Sequence, residues 1–287
     1  MKYRAIFFDW DGTAVESRTA PADEAVKCMK PLLRQGIRLI IISGTTYENI
    51  AGGRLHQYFT PDELKSLFLG LGRGAYNYGF REGRPELLSE KNPDMQELVK
   101  IHRAAYRLHE ELLTRYGIGT DIVFCRPNYC KVDMMADCDR GDRLFLQQAE
   151  IDQIRERLEA GGLKNGLRDV LKLAEELGVE EGIRLKTTTD AKYVEIGLGT
   201  KSDNIDYFMD SVLGKEGITA EECCFWGDEF CYLADGIPGS DAYMMTEKTK
   251  NGRFFDVSPE KRPLPEKVEW MGGGIHTFHD FLQDAQK

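Results

Sequence analysis

Asp9 and Asp11, one residue apart at the end of the apolar run Ala5-Ile6-Phe7-Phe8, can serve a single divalent cation. If the chain begins to turn at Trp10, the ion meets one side chain and one backbone carbonyl. An ordinary turn at Gly12 does not require a second aspartate two residues before the Asp-Gly pair. A second chemical run, Ser43-Gly44-Thr45-Thr46, closes the apolar stretch Ile37 to Ile42. Its serine hydroxyl, with the free amides of a helix expected from Tyr47, can donate to phosphoryl oxygens. A third, Gly227-Asp228-Glu229, follows Cys223-Cys224-Phe225-Trp226 and again puts acids after an apolar strand. Lys201 opens an amphipathic stretch containing Ile205, Phe208, Met209 and Val212, where a cation opposes the helix dipole and so needs a reason to be there.

These residues share one kind of setting. Uninterrupted apolar runs read as central parallel strands covered on both faces, and ligands gather at the carboxyl ends of such strands. Pro21 to Gln35 reads as a helix with Ala25, Val26, Met29 and Leu32 on one face and Gly36 as its stop, and Leu67 to Tyr78 as a third strand with a glycine-rich turn. The pattern then changes. A long amphipathic helix from Pro93 to Tyr116 precedes strand-like segments from Asp121 to Met135. Helices over Asp142 to Ala160 and Leu167 to Leu177 lead to strands at Ile183 to Thr187 and Tyr193 to Ile196. The expected fold class is α/β, a Rossmann-like parallel-sheet core of residues 1–85 and 198–287 with an inserted α+β cap domain at 86–197.

At 287 residues and 41% apolar composition the chain has ample material for a core. A formal charge of −10, with no long Lys/Arg cluster, argues against a general nucleic-acid or anionic-membrane binder. No apolar run approaches bilayer-spanning length, and Met1-Lys2-Tyr3 leads straight into a strand, so a cytoplasmic location is expected. Seven cysteines without a CxxC pair and five scattered histidines speak against zinc.

Taken in order, the motifs resemble the haloacid dehalogenase-like phosphohydrolase superfamily, whose first signature is DxDGT. The resemblance implies that Asp9 attacks phosphorus to form an aspartyl phosphate and that Asp11 protonates the leaving oxygen and then activates water. It makes Ser43 the second-motif phosphate ligand, with Gly44 beside it, and Lys201, after Glu195-Ile196-Gly197-Leu198-Gly199-Thr200, the third-motif cation. Mg2+ would be held by Asp9, Asp11 and Asp228. Asp241 in Pro238-Gly239-Ser240-Asp241, similar to the PGGND loop of phosphomannomutases, completes that set, with Asp235 and Glu229 as competitors.

Gly74-Ala75 resembles the Asn-Gly-Ala stretch before a cap, with Arg73 in the asparagine position as a candidate substrate contact. The large α/β insert between the second and third motifs resembles the type IIB cap class, and Arg126, Lys131 and Asp133 on its hairpin are candidate contacts to a leaving group. The implied activity is phosphatase action on a small-molecule phosphate ester such as a sugar phosphate. A hexose phosphomutase using the same aspartyl chemistry and a non-catalytic metabolite-binding module are the alternatives. Protein partners are left open.

Overall fold

The computed structural model describes residues 3–124, 126–136, 148–234 and 236–286. In chain order the elements are β1 (Ala5–Phe8), α1 (Asp23–Arg34), β2 (Arg38–Ile42), α2 (Pro61–Leu64), β3 (Leu67–Leu71), β4 (Tyr76–Arg81), β5 (Arg84–Glu90) and α3 (Met95–Thr114). There follow β6 (Asp121–Val123), β7 (Tyr129–Asp133), α4 (Gln148–Ala160), α5 (Leu167–Glu180), β8 (Lys186–Thr189), β9 (Tyr193–Gly197), α6 (Lys201–Phe208) and β10 (Cys223–Gly227). The chain ends with β11 (Tyr232–Ala234), β12 (Ile237–Pro238), β13 (Arg253–Asp256), β14 (Val268–Trp270) and α7 (Gly274–Asp284).

Two compact units result. The first comprises Met1–Lys91, Lys201–Cys231 and Asp241–Lys287; the second comprises Asn92–Thr200 and Tyr232–Ser240. Residues 232–240, which the sequence places with the core, therefore group with the second unit.

The first unit is built on one sheet in the order β14-β13-β10-β1-β2-β3-β4-β5. The strands from β14 to β3 pair in parallel, while β4 and β5 add antiparallel at the edge. Alternation along β1 explains how both faces are covered. Ile6 and Phe8 pack with Cys28, Met29 and Leu32 of α1 and Phe278 and Leu282 of α7, whereas Ala5 and Phe7 pack with Ile205 and Phe208 of α6. Every residue of β1 and β10 is buried, which is why these strands read as continuous apolar runs.

The expected helix from Tyr47 is replaced by short 3-10 turns at Tyr47–Asn49, Ala51–Gly53 and Leu55–Tyr58. The reason is local: Ala51, Gly52 and Gly53 all have positive φ, 48°, 62° and 72°, which no right-handed helix tolerates. The stretch Leu67 to Tyr78 is likewise two strands, with a turn at residues 72–75 where the chain reverses from β3 into β4.

The second unit has a four-stranded antiparallel sheet, β6-β7-β9-β8, and a separate β11-β12 hairpin. Cys130, Val132, Val194 and Ile196 are fully buried, and α3 and α5 pack against the sheet. The helix expected over Asp142 to Ala160 is described from Gln148; residues 142–147 lie outside the described residues.

Candidate active site

Three neighbouring parallel strands deliver the acids and the hydroxyl. Asp9 follows β1, Ser43 follows β2 and Asp228 follows β10, each at a carboxyl end. The Asp9 N–H donates to Trp226 O at 3.0 Å and the Ser43 N–H to Gly70 O at 2.9 Å, so the ladder pairing continues into the site. Beyond Asp9 the chain turns as the sequence suggests, with Ala14 N–H and Val15 N–H both donating to Trp10 O at 3.0 Å. Gly12, at φ 82°, is required at this turn: a β-carbon there would stand 2.5 Å from Asp228 Oδ2.

Asp9, Asp228 and Asp241 are all buried, and each offers a carboxylate oxygen within 4.8 Å of the others. Lys201, at the first position of α6, closes the group: its ammonium donates to Asp241 Oδ1 at 2.7 Å and lies 3.3 Å from Asp9 Oδ1. Asp241 also accepts the Glu229 N–H on Oδ2 at 2.8 Å, so it ties Lys201 to the loop that carries Asp228. A β-carbon at Gly227 would fall 2.3 Å from Asp241 Oδ2, and only glycine admits that approach.

Electrostatics follow from three carboxylates and one ammonium in a buried site. Burial lifts the Asp9 carboxyl well above its ordinary range, Lys201 opposes this, and Asp241 and Asp11 add to it. Burial also raises Asp228, reinforced by Asp241, Glu229 and Asp9. Burial disfavours the Lys201 charge, but Asp241 and Asp9 outweigh it and hold the ammonium above its usual value. All-oxygen, buried and only partly compensated by Lys201, the cluster fits a hard divalent cation.

The other sequence candidates are placed as follows. Asp11 is only partly buried, with Oδ2 3.9 Å from an Arg18 guanidinium nitrogen. Ser43 is buried, its hydroxyl accepting the Thr45 N–H at 3.4 Å. Arg73 is also buried, and its Cγ lies 3.5 Å from where a β-carbon of Gly44 would stand. Of the competitors to Asp241, Glu229 is outside the three-carboxylate cluster, and Asp235 lies outside the described residues.

In the second unit, Lys131 pairs with Glu195 at 2.8 Å and Asp133 with Lys192 at 3.5 Å, while Arg126 donates to Tyr129 Oη at 3.3 Å. Lys131 and Asp133 share the face of β7 opposite Cys130 and Val132.

Some site residues are evident only in the structure. Thr13 donates its hydroxyl to Asp228 Oδ1 at 2.9 Å, and its signal was the fifth position of the DxDGT run. Asp256, fully buried at the end of β13, accepts the Phe230 N–H at 3.1 Å and the Ser258 N–H at 2.9 Å and so braces the Asp228 loop. Its signal was an acid directly after the apolar Phe254-Phe255. Asn204, fully buried one turn after Lys201, had no such signal.

No protein-family model matches the sequence, and no curated protein sequence matches it. Solved structures do. Plasmodium falciparum IMP-nucleotidase superposes with a TM-score of 0.56 at 12% identity over 99% of this chain, which spans 62% of that protein's length. An N-terminally truncated form of the same nucleotidase gives 0.60 at 13% identity over 98% of this chain and 69% of that one. Aspergillus fumigatus trehalose-6-phosphate phosphatase gives 0.53 at 15% identity, over 99% of this chain and 93% of that one. No helix among the described residues is long and apolar enough to cross a membrane. With the strand order, the inserted α+β unit and these structural likenesses together, the chain has the haloacid dehalogenase-like fold.

Proposed function

We propose that this protein is a magnesium-dependent phosphatase of small phosphorylated metabolites that works through an aspartyl-phosphate intermediate. The observation that carries the reading is the placement of Lys201 between Asp9 and Asp241, 3.3 and 2.7 Å from their oxygens, with Asp228 in the same buried cluster. A carboxylate attacks a phosphate dianion poorly unless positive charge reduces the repulsion. Lys201 supplies part of that charge to the oxygen that must approach phosphorus.

In this reading an Asp9 carboxylate oxygen forms a bond to phosphorus as the ester oxygen departs, and a protonated Asp11 delivers its proton to that oxygen. Asp11, now ionised, takes a proton from water as the water oxygen attacks the acyl phosphate, which releases inorganic phosphate and restores Asp9. The Ser43 hydroxyl and the Gly44 amide hold phosphoryl oxygens, with Arg73 alongside them. Mg2+, held by Asp9, the Asp11 carbonyl, Asp228 and Asp241, would neutralise phosphoryl charge when bound. Two related solved structures are named for a nucleotidase and a sugar-phosphate phosphatase, which supports a small phosphomonoester as substrate.

The test is phosphate release from a panel of sugar phosphates, nucleotides and an aryl phosphate, with and without Mg2+. Turnover should require the metal and fall at least ~10^3-fold in Asp9→Asn, with the fold retained. Metal-dependent release by that variant at the wild-type rate would reject the assignment. Conversion of a hexose 1-phosphate to its 6-phosphate isomer would favour the mutase.

A further inference from the structure

Asn204 has no role in the chemistry described above, yet its amide is completely buried and fully engaged. Oδ1 accepts the Gly74 N–H at 2.7 Å, while Nδ2 donates to Tyr76 O at 3.1 Å and to Asn77 Oδ1 at 2.9 Å, with Leu71 O at 3.5 Å. Gly74 N–H can only donate and Tyr76 O can only accept, so these partners fix the orientation of the amide. Asn204 lies three residues after Lys201 on α6, so one helical turn carries both the cluster cation and this cross-link.

The cross-link reaches a turn with an unusual backbone. Gly72, Arg73 and Gly74 have φ of 63°, 53° and 94°, three successive left-handed residues with an arginine in the middle. That conformation is unfavourable for a side chain with a β-carbon and persists where the surroundings impose it. Here both flanks are clamped: the Gly72 N–H donates to Thr45 O at 2.9 Å, and the Gly74 N–H to Asn204. One clamp is the loop that carries Ser43, the other the helix that carries Lys201. Between them Arg73, 3% exposed, packs its stem over Gly44.

We propose that Asn204 is a positioning residue that holds Arg73 against the Ser43-Gly44 loop, so that Arg73 and Lys201 grip one phosphoryl group from two rigidly linked elements. The inference rests on the phosphatase reading and adds to it that recognition favours a dianionic phosphoryl group, which a planar guanidinium can engage with two donors. The packing under Asn204 is specific as well. A β-carbon on Gly70 would stand 2.7 Å from the Asn204 β-carbon and 2.8 Å from Ile42 Cδ1, so Gly70→Ala displaces Asn204 without placing an atom in the site.

The experiment measures binding of inorganic phosphate to the full chain by calorimetry in the presence of Mg2+, for wild type, Asn204→Ala, Arg73→Ala and the double variant, with thermal midpoints recorded alongside. Each single variant should weaken phosphate binding at least tenfold. The double variant should bind about as weakly as Arg73→Ala alone, because Asn204 acts through Arg73. Gly70→Ala should weaken binding in the same direction and serves if Asn204→Ala does not fold. Unchanged phosphate affinity in folded Asn204→Ala or Gly70→Ala, whatever the thermal midpoint, reduces Asn204 to a structural residue and overturns the inference. So does a double variant whose loss is the product of the two single losses, or a wild-type protein that binds no phosphate. Ester hydrolysis by the same wild-type preparation is scored separately, so a protein that binds phosphate but cleaves no ester rejects the phosphatase reading and leaves the affinities to decide this one.

Discussion

The two units treat charge in opposite ways. In the first, three buried carboxylates converge on one ammonium, and burial raises Asp9 and Asp228, with the neighbouring carboxylates adding to the shift. In the second, each carboxylate has an ammonium beside it: Lys131 pairs with Glu195 across strands and also faces Asp190, Lys192 pairs with Asp133, and Thr188 adds a hydroxyl to Glu195 at 3.0 Å. Lys131 also lies 4.7 Å from the centre of the Tyr193 ring. A balanced pair is complete within the fold. A cluster of three carboxylates about one ammonium calls for a charge from outside.

Removing the core ammonium should break the comparison most severely. Lys201→Met strips the three buried carboxylates of this ammonium, and turnover should fall at least ~10^2-fold, since a preorganised charge at the reacting atoms is lost. Metal-free stability should drop by about 3 kcal/mol or more by denaturant titration, as for other broken buried pairs. A variant as active as wild type would show that the ammonium is not needed for attack.

Removing a core carboxylate should act in the reverse direction on stability. Asp228→Asn relieves repulsion, so the metal-free variant should be about 1 kcal/mol more stable than wild type. Mg2+ at a hundredfold excess over its Kd should stabilise wild type by ~2.7 kcal/mol and the variant by much less. Equal metal stabilisation of both proteins, read from thermal midpoints, would remove Asp228 from the ligand set.

The paired charges of the second unit should behave as pairs. Lys131→Met, which strands Glu195 and removes the ammonium facing Asp190, should cost about 1–2 kcal/mol, and Lys131→Met with Glu195→Gln should recover part of it. Additive losses would mean that the pair is not a unit. Smallest of all, Asp133→Asn should cost under about 1 kcal/mol, because its partner Lys192 is more exposed and 3.5 Å away. Alanine at Arg126, Lys131 and Asp133 together should reorder turnover among sugar phosphates while sparing an aryl phosphate. An unchanged ranking would place specificity elsewhere.

Residues whose surroundings are local were legible in the sequence. Asp9, Ser43 and Asp228 each follow an apolar run that becomes a buried parallel strand, so type and position could be read together. The structure puts Lys131 and Asp133 on one face of β7, which the sequence names only as hairpin residues. Lys201 and Asp241 needed the family resemblance, because nothing near Lys201 in the chain announces a partner forty residues ahead. Asn204 was not legible at all: its amide meets Gly74, 130 residues away, and a lone polar residue on an amphipathic helix reads as a solvated position. Thr13 meets Asp228 across 215 residues for the same reason. The helix expected after Ser43 does not form because Gly52-Gly53 end helical geometry before it can start.

The allocation of residues 232–240 has a consequence for modularity. The chain passes between units four times rather than twice, because the β11-β12 hairpin, leaving after Cys231 and returning at Asp241, groups with residues 92–200, where β11 packs on α4. Residues 92–200 are thus not a self-contained cassette. Replacing them by a short linker would orphan the hairpin and expose the surface that α4 covered, whereas a graft that carries the unit to another scaffold must transplant two segments at once. A domain exchange that carries only residues 92–200 is therefore expected to leave the hairpin without α4, which a lowered thermal midpoint would report.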